Sequence, residues 1–214
     1  LQEKEGIRPV SRYGGCSEMK FDATGYFRLE KTDTHWWLVD PDGYAFLTAG
    51  MDCVHVWACT PVEGLESCYD WLPEKEGKFA DAWMGHPWKK ESGQRFVSFF
   101  ISNLIRCFGE KWKEEWEKLT AARLRDWGFN TIGAFSDDEF VKDSKMPYTH
   151  ALMGYPDTKK KIYRDFPDVF SEEFRENAQE YARQLEERKT DACMIGYYMR
   201  NEPEWAFAAE GCLA

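Results

Sequence analysis

The run Tyr44-Ala45-Phe46-Leu47-Thr48-Ala49-Gly50-Met51-Asp52-Cys53-Val54 is apolar on both alternating faces in its early part. A strand written this way has no side to give to water, so it belongs in a sheet covered on both faces, the usual setting of parallel strands. Parallel strands need long crossover connections, most often helical. The rest of the chain reads as such connections. Trp112, Trp116, Leu119 and Ala122 recur at helical spacing, and Gly128 offers a left-handed stop after Trp127. A strand is expected over 129–135, ending at Ser136-Asp137-Asp138, and a shorter one over 148–153. Ser171 caps a further helix with Glu172 and Glu173 in its first turn and Phe174, Ala178, Tyr181 and Leu185 as its buried stripe. The last strand, 193–199, runs directly into Arg200-Asn201-Glu202-Pro203-Glu204-Trp205.

Ahead of these elements lies a hairpin signal. Residues 26–30 alternate inward and outward, Thr32-Asp33 turns, Trp36-Trp37-Leu38-Val39 returns, and Asp40-Pro41-Asp42-Gly43 makes a second tight turn. Two architectures fit the alternation of strand and helix. A doubly wound sheet carries a glycine-rich phosphate turn after its first strand, and Met51-Asp52-Cys53-Val54-His55 offers none. A barrel collects polar residues at the carboxyl ends of its strands, and here the ends read Asp52 and His55, Ser136 and Asp137, His150, then Asn201 and Glu202. The expected fold is α/β, of the (β/α)8 TIM-barrel type, with only the first four βα units, preceded by a short β-hairpin. Residues 1–43 form the N-terminal segment with the hairpin. Residues 44–214 form the first half of the barrel, with about 55–109 as a long irregular first βα loop, a candidate rim of a binding cleft.

Composition excludes some partners. A net charge of -10 spread along the chain argues against nucleic acid or an anionic membrane, because phosphate contacts need clustered Lys and Arg. The one compact basic run, Lys159-Lys160-Lys161, reads as a solvated loop. No stretch has the length to span a bilayer, and no charged-then-apolar segment opens the sequence. Seven cysteines without C-x-x-C spacing give neither a zinc site nor a disulfide framework, which favours a reducing, cytoplasmic compartment and leaves a secreted or periplasmic one open. No cofactor and no metal are expected. An aromatic share of 16% means rings that either build the core or stack on the flat face of a ligand such as a sugar. Trp57 and Trp205 follow strand ends and are the stacking candidates. Trp112, Trp116 and Trp127 are assigned to helix packing.

Cleaving a glycosidic bond needs one carboxyl group that keeps its proton for the leaving oxygen and a second that attacks the anomeric carbon or activates water. Glu202 suits the first role. It follows a buried strand, sits beside an amide able to hold a sugar hydroxyl, and has Tyr198 and Trp205 near it in sequence to lower the local polarity. The structural alternative makes Glu202 and Glu204 solvated acids that cap a helix begun at Pro203. Asp52 and His55 are candidates for substrate hydroxyls and equally for loop anchors. Asp137 is a candidate at the cleft, or else it or Asp138 caps a short helix. His150 defaults to a structural role, and Glu63, Glu66 and Asp70 show no metal-ligand pattern.

Three runs resemble a known group: residues 36–43 leading into Phe46-Leu47-Thr48-Ala49-Gly50, the helix-to-strand passage 124–133, and Ile195-Gly196-Tyr197-Tyr198-Met199-Arg200-Asn201-Glu202-Pro203. Together they look like the clan A retaining glycoside hydrolases, and most like the family 50 agarases and their uncharacterised relatives. The resemblance runs from about Gly25 onward. It implies an eight-stranded barrel, net retention of configuration, Glu202 as general acid then base, and Asn201 bonding the sugar at its 2-hydroxyl. It also implies a nucleophilic Glu at the end of a seventh strand, which these 214 residues do not contain.

The second half of the barrel is therefore expected either in the same parent chain or as a partner chain. A truncated chain ranks first, a completing partner second, and a degenerate product that folds differently third. Half a barrel has open parallel edges, so an isolated monomer is expected to be poorly stable or to associate. The expected function is retaining hydrolysis of a β-linked poly- or oligosaccharide, an agarose-like galactan by the resemblance, with this chain giving the acid/base half of the site. The alternative is a non-catalytic carbohydrate-binding or assembly module derived from half a barrel.

Overall fold

A computed structural model describes residues 10–86, 93–163 and 166–201. The strands in chain order are β1 (Cys16–Lys20), β2 (Arg28–Lys31), β3 (Trp36–Val39), β4 (Tyr44–Phe46), β5 (Gly50–Met51), β6 (Thr60–Pro61), β7 (Trp83–Gly85), β8 (Arg95–Val97), β9 (Thr131–Ile132), β10 (Tyr148–Ala151), β11 (Lys161–Tyr163), β12 (Phe166–Pro167) and β13 (Met194–Tyr198). The α-helices are α1 (Phe99–Phe108), α2 (Trp112–Asp126), α3 (Asp138–Ser144) and α4 (Glu172–Ala182). The result is a mixed α/β structure in two compact units. Described residues up to Asp52, Asn130–Phe135 and those from Met146 onward make the first; Cys53–Phe129 and Ser136–Lys145 make the second.

The first unit holds an antiparallel sheet in the order β1-β4-β3-β2. β2 and β3 form a hairpin in which Arg28 faces Val39 and Lys31 faces Trp36. The next turn rests on Asp40, which is fully buried. Its Oδ1 accepts from the N–H groups of Asp42 at 3.0 Å and Tyr44 at 2.9 Å, and its Oδ2 from the Ser11 hydroxyl. A carboxylate survives burial only with such partners. Tyr13, Phe27 and Phe46 meet edge to face, and Leu38, Ala192, Cys193 and Ile195 pack against them.

The second sheet of this unit has the order β5-β9-β10-β13, and every pairing in it is parallel. Spatial order equals sequence order, without the reversal that marks a doubly wound sheet. Two glycines let β5 and β9 meet. A Cβ on Gly50 would sit 2.2 Å from the Thr131 carbonyl oxygen, and one on Gly133 would sit 2.7 Å from the Asp52 Cα. Between β10 and β13 the register shifts by one residue, so that Tyr148 faces Met194 but Thr149 faces Gly196. The residue passed over, Ile195, joins the Tyr13 cluster.

Residues 44–54 are not one strand, contrary to their apolar pattern. β4 lies in the antiparallel sheet and β5 in the parallel one. The link between them is held by Asn130, whose Nδ2 donates to the carbonyls of Leu47 at 2.9 Å and Gly14 at 3.2 Å. Its Oδ1 accepts from the Ala49 N–H at 2.9 Å and the Thr131 hydroxyl at 3.0 Å. These bonds replace the ladder that a continuous strand would have made, and Leu47 turns to solvent, 84% exposed.

Tyr148, 1% exposed, anchors the start of β10. Its hydroxyl donates to Asp191 Oδ2 at 2.9 Å and accepts from Arg188 Nη1 at 3.4 Å. Burial, aided by the Asp191 carboxylate and opposed by Arg188, pushes the phenol up to about 12. At α4, Ser171 accepts from the Phe174 N–H at 3.1 Å, and the stripe expected to be buried is only half-buried: Phe174, Ala178 and Tyr181 in the helix and Leu185 in the turn that continues it.

The second unit corrects the expectation of an irregular loop over 55–109. It contains an antiparallel sheet, β6-β8-β7, followed by α1. Ser98 caps α1 by accepting from the Ile101 N–H at 3.2 Å, and Val56, Val62, Val97, Ile101 and Ile105 are buried. Trp83 donates its indole N–H to the carbonyls of Pro73 and Glu74, and Trp112 donates to Asp81. Trp88 lies outside the described residues. In α2 the buried residues are Trp112, Trp116, Ala121 and Leu124; Leu119 is exposed, as is Ala122. The helix packs on both α1 and α3, so its covered side rotates along its length. Trp127, expected in that packing, is 61% exposed.

Asn130→Ala removes four side-chain hydrogen bonds at one junction and is expected to lower stability by about 2–4 kcal/mol, at about 1 kcal/mol per bond. Urea unfolding checks this, and a loss below about 0.5 kcal/mol contradicts it. The raised phenol of Tyr148 favours the neutral side chain in the folded state. That contribution, up to about 3 kcal/mol, is fully present below pH 10 and is lost as pH rises through about 12. The stability gap between wild type and Tyr148→Phe should therefore narrow across that window, and a gap independent of pH there refutes the account.

Candidate functional site

At the carboxyl ends of the parallel strands the first unit has a depression of about 520 Å³. Small residues line it (Thr48 and Gly50, Thr131 and Gly133, Thr149), leaving space where larger side chains would fill it. The Thr48 hydroxyl donates to that of Thr131 at 2.9 Å, and the latter continues to Asn130, so the depression and the strand junction share one hydrogen-bond chain. Asp52, Phe135, Tyr198, Arg200 and Asn201 are also in the lining. Asp52 and Tyr198 are exposed, Tyr198 at 55%. A second depression, also about 520 Å³, shares Phe135, Arg200 and Asn201 with the first and takes its other wall from residues 152–157.

The strand end that carries Asn201 is braced by α4. The Tyr181 hydroxyl, its pKa raised by burial, donates to the Met199 carbonyl. Tyr155 meets Tyr181 edge to face at 6.0 Å and Phe174 at a tilt at 6.2 Å, and the Arg200 guanidinium lies 5.3 Å from the Tyr155 ring centroid.

Of the residues expected at a site, Asp52, Tyr198 and Asn201 line one cavity. Glu202 and Trp205 lie outside the described residues. His55, Trp57 and Asp137 belong to the second unit. There the His55 and Trp57 rings stack at 4.5 Å and 15°, the Trp57 N–H donates to His55 Nδ1 at 3.2 Å, and Trp57 stays 53% exposed. Asp137 is the N-cap of α3: its Oδ1 accepts from the N–H groups of Glu139 at 3.1 Å and Phe140 at 3.0 Å. With Glu117 and Glu139 it forms an acidic cluster, in which Lys113 pairs with Glu139 and burial raises the Glu117 carboxyl. Glu63 and Glu66 both pair with Arg95.

Two lining residues escaped the reading of the sequence. Phe135 has φ 61°, a left-handed conformation that costs a side chain of this kind about 1–2 kcal/mol. It had passed for the apolar end of a strand. Arg200 stood inside the run shared with the agarases without a role of its own.

No family model matches the chain. Among curated proteins it is similar to β-agarase B of Vibrio sp. (strain JT0107), 29% identical over 232 residues, covering 91% of this chain and 24% of that protein. It is also similar to β-agarase A of the same strain, 26% identical over 195 residues, covering 81% of this chain and 19% of that protein. The chain thus spans about a quarter or less of the length of the curated relatives it matches. Among solved structures it is similar to the agarase AgWH50C, with TM-score 0.78, 27% identity and coverage of 93% of this chain and 32% of that one. PfGH50B gives TM-score 0.75, 30% identity and coverage of 91% and 32%. An exo-β-agarase at 24% identity, TM-score 0.72, shares the fold over 91% of this chain and 34% of its own. β-Agarase B, β-agarase A and AgWH50C are agarases, the group to which the three runs pointed.

The cap at Asp137 yields a local test. Asp137→Ala should cost about 1 kcal/mol, whereas Asp137→Asn, which keeps an accepting side-chain oxygen, should cost no more than a few tenths. Equal losses in thermal or urea unfolding would contradict the capping role.

Proposed function

We propose that this chain supplies the acid/base half of the active site of a retaining glycoside hydrolase acting on a β-linked galactan of the agarose kind. The observation that carries the reading is the cavity at the carboxyl ends of four parallel strands in sequence order, with Asn201 in its lining. That order is the one a (β/α)8 barrel requires of its first four strands, and the carboxyl end is where such barrels hold their chemistry. Asn201 precedes Glu202 in the chain, and the relatives are agarases.

In this mechanism Glu202 donates a proton to the leaving oxygen while a second carboxylate attacks the anomeric carbon; Glu202 then takes the proton of the water that releases the sugar. Asn201 holds the 2-hydroxyl, and Asp52 and Tyr198 hold neighbouring hydroxyls. His55, Trp57 and Asp137 are further candidate carbohydrate contacts, the first two as one stacked pair, and Trp205 is a further stacking candidate. The attacking carboxylate comes from the other half of the barrel, within the parent chain or on a partner. Small residues along the cavity give room for a sugar ring beside the strands.

The test is Glu202→Gln in the complete protein. Hydrolysis of the natural polysaccharide should fall by about 10²–10⁴-fold, while aryl glycosides with good leaving groups, which need no proton, keep most of their first-step rate. An unchanged rate on polysaccharide rules out the assignment.

A further inference from the structure

The second depression, beyond Asn201, differs from the first in taking much of its wall from the loop around 152–157, and one helix face holds that loop. Glu173, Asn177, Tyr181 and Gln184 follow one another at intervals of four, four and three along α4 and its continuation, which places them on one side. The Gln184 carboxamide grips Met153 twice, donating to its carbonyl at 2.9 Å and accepting from its N–H at 3.0 Å. Asn177 donates to the Asp157 carbonyl at 2.7 Å, and the Glu173 carboxylate accepts from the Lys159 N–H at 3.2 Å. Tyr181 fixes the opposite wall through the Met199 carbonyl. A hollow bounded in this way stands ready before any ligand arrives, which lowers the ordering cost of binding.

Its charge is unlike that of the chain. Arg200, Lys161 and Asp157 line it, two cations and one carboxylate, within a protein of net charge -10. Lys161, expected in a solvated loop, starts β11 and pairs with Asp157. That pairing, with a smaller pull from Arg200, holds the Asp157 carboxyl below its usual range, so the acid is ionised at neutral pH and its charge is met by Lys161. Arg200 keeps the surplus charge. Among the described residues it forms no ion pair, and its contact is with the Tyr155 ring. A guanidinium held over an aromatic ring retains a planar fork of N–H donors suited to two oxygens of one anion.

We propose that this hollow is a subsite for a sugar residue bearing an anionic substituent, a sulfate ester or a carboxylate, with Arg200 as its principal contact and Lys161 as the second cation. It rests on the carbohydrate reading above and adds an anionic substituent to the galactan that this site accepts. A surplus cation beside the mouth matches an anionic substituent, which the rest of this acidic surface would otherwise repel.

The test measures the affinity of the full chain, by calorimetry at low salt, for three galactan tetrasaccharides: neutral, singly sulfated, and carrying one carboxylate. At least one charged ligand should bind about tenfold or more tightly than the neutral one. The preference should shrink at 0.5 M salt, disappear in Arg200→Gln, and survive in part in Arg200→Lys, which keeps the charge and loses the fork. The arm that binds best identifies the substituent. Equal affinity for all three overturns the subsite while leaving the carbohydrate reading intact, as does a preference that persists in Arg200→Gln. Binding of none overturns both.

Discussion

The Asn130 carboxamide is the joint on which the first unit turns. Between β4 and β5 the chain leaves an antiparallel sheet and enters a parallel one, and for residues 47–49 it belongs to neither ladder. Backbone groups at such a crossing must find partners elsewhere. Few side chains offer a donor and an acceptor in one rigid plane, and Asn130 uses both, reaching Gly14, Leu47 and Ala49. The residue also leads directly into β9. Its placement therefore sets where β9 lies beside β5 and, through the close approach at Gly133, where Asp52 emerges.

This explains why part of the fold was legible in the sequence and part was not. Helices that announce their ends were readable: Ser171 before two acids, and Gly128 after α2, which adopts φ 86°. The hairpin and the order of the parallel strands were readable too. Hydrophobic periodicity reports that residues are covered but not by which sheet, and the break at Leu47 is imposed by a side chain some eighty positions further on. In the second unit the strands have two or three residues, too few for any period to register. There the missed signal was local: Ser98 ahead of Ile101 and Ile105, closed by Gly109, is a complete helix statement inside what looked like loop.

The candidate site divides in the same way. Polar residues closing strands directed attention to Asp52 and Asn201, because a parallel sheet brings all its carboxyl ends to one edge. What they could not reveal is conformation. Phe135 reads as an ordinary apolar strand end, and only its positive φ marks it as a residue held in place by its surroundings. Arg200 reads as one more surface charge until the loop carrying Tyr155 is placed beside it. At Asp137 the capping alternative offered by the sequence is what the structure shows: an acid at a strand end serves the next helix first.

A four-stranded parallel sheet whose first member has two residues has little stability of its own. Among the described residues β5 and β13 each pair on one side only, and nothing within the sheet ties one edge to the other. The N-terminal antiparallel sheet does so. It is continuous with the β5 edge through the link that Asn130 holds, and it reaches the β13 edge because Tyr13, Phe27 and Phe46 pack on Ile195, the residue set free by the register shift. Both edges are thus fixed at their amino ends by one small core. Strands fixed at one end by a common brace hold a defined spread at the other, which is where Asp52, Phe135, Tyr198 and Asn201 line a cavity. The hairpin that precedes the parallel strands is therefore a brace for the site, and the register shift at Ile195 is what connects them.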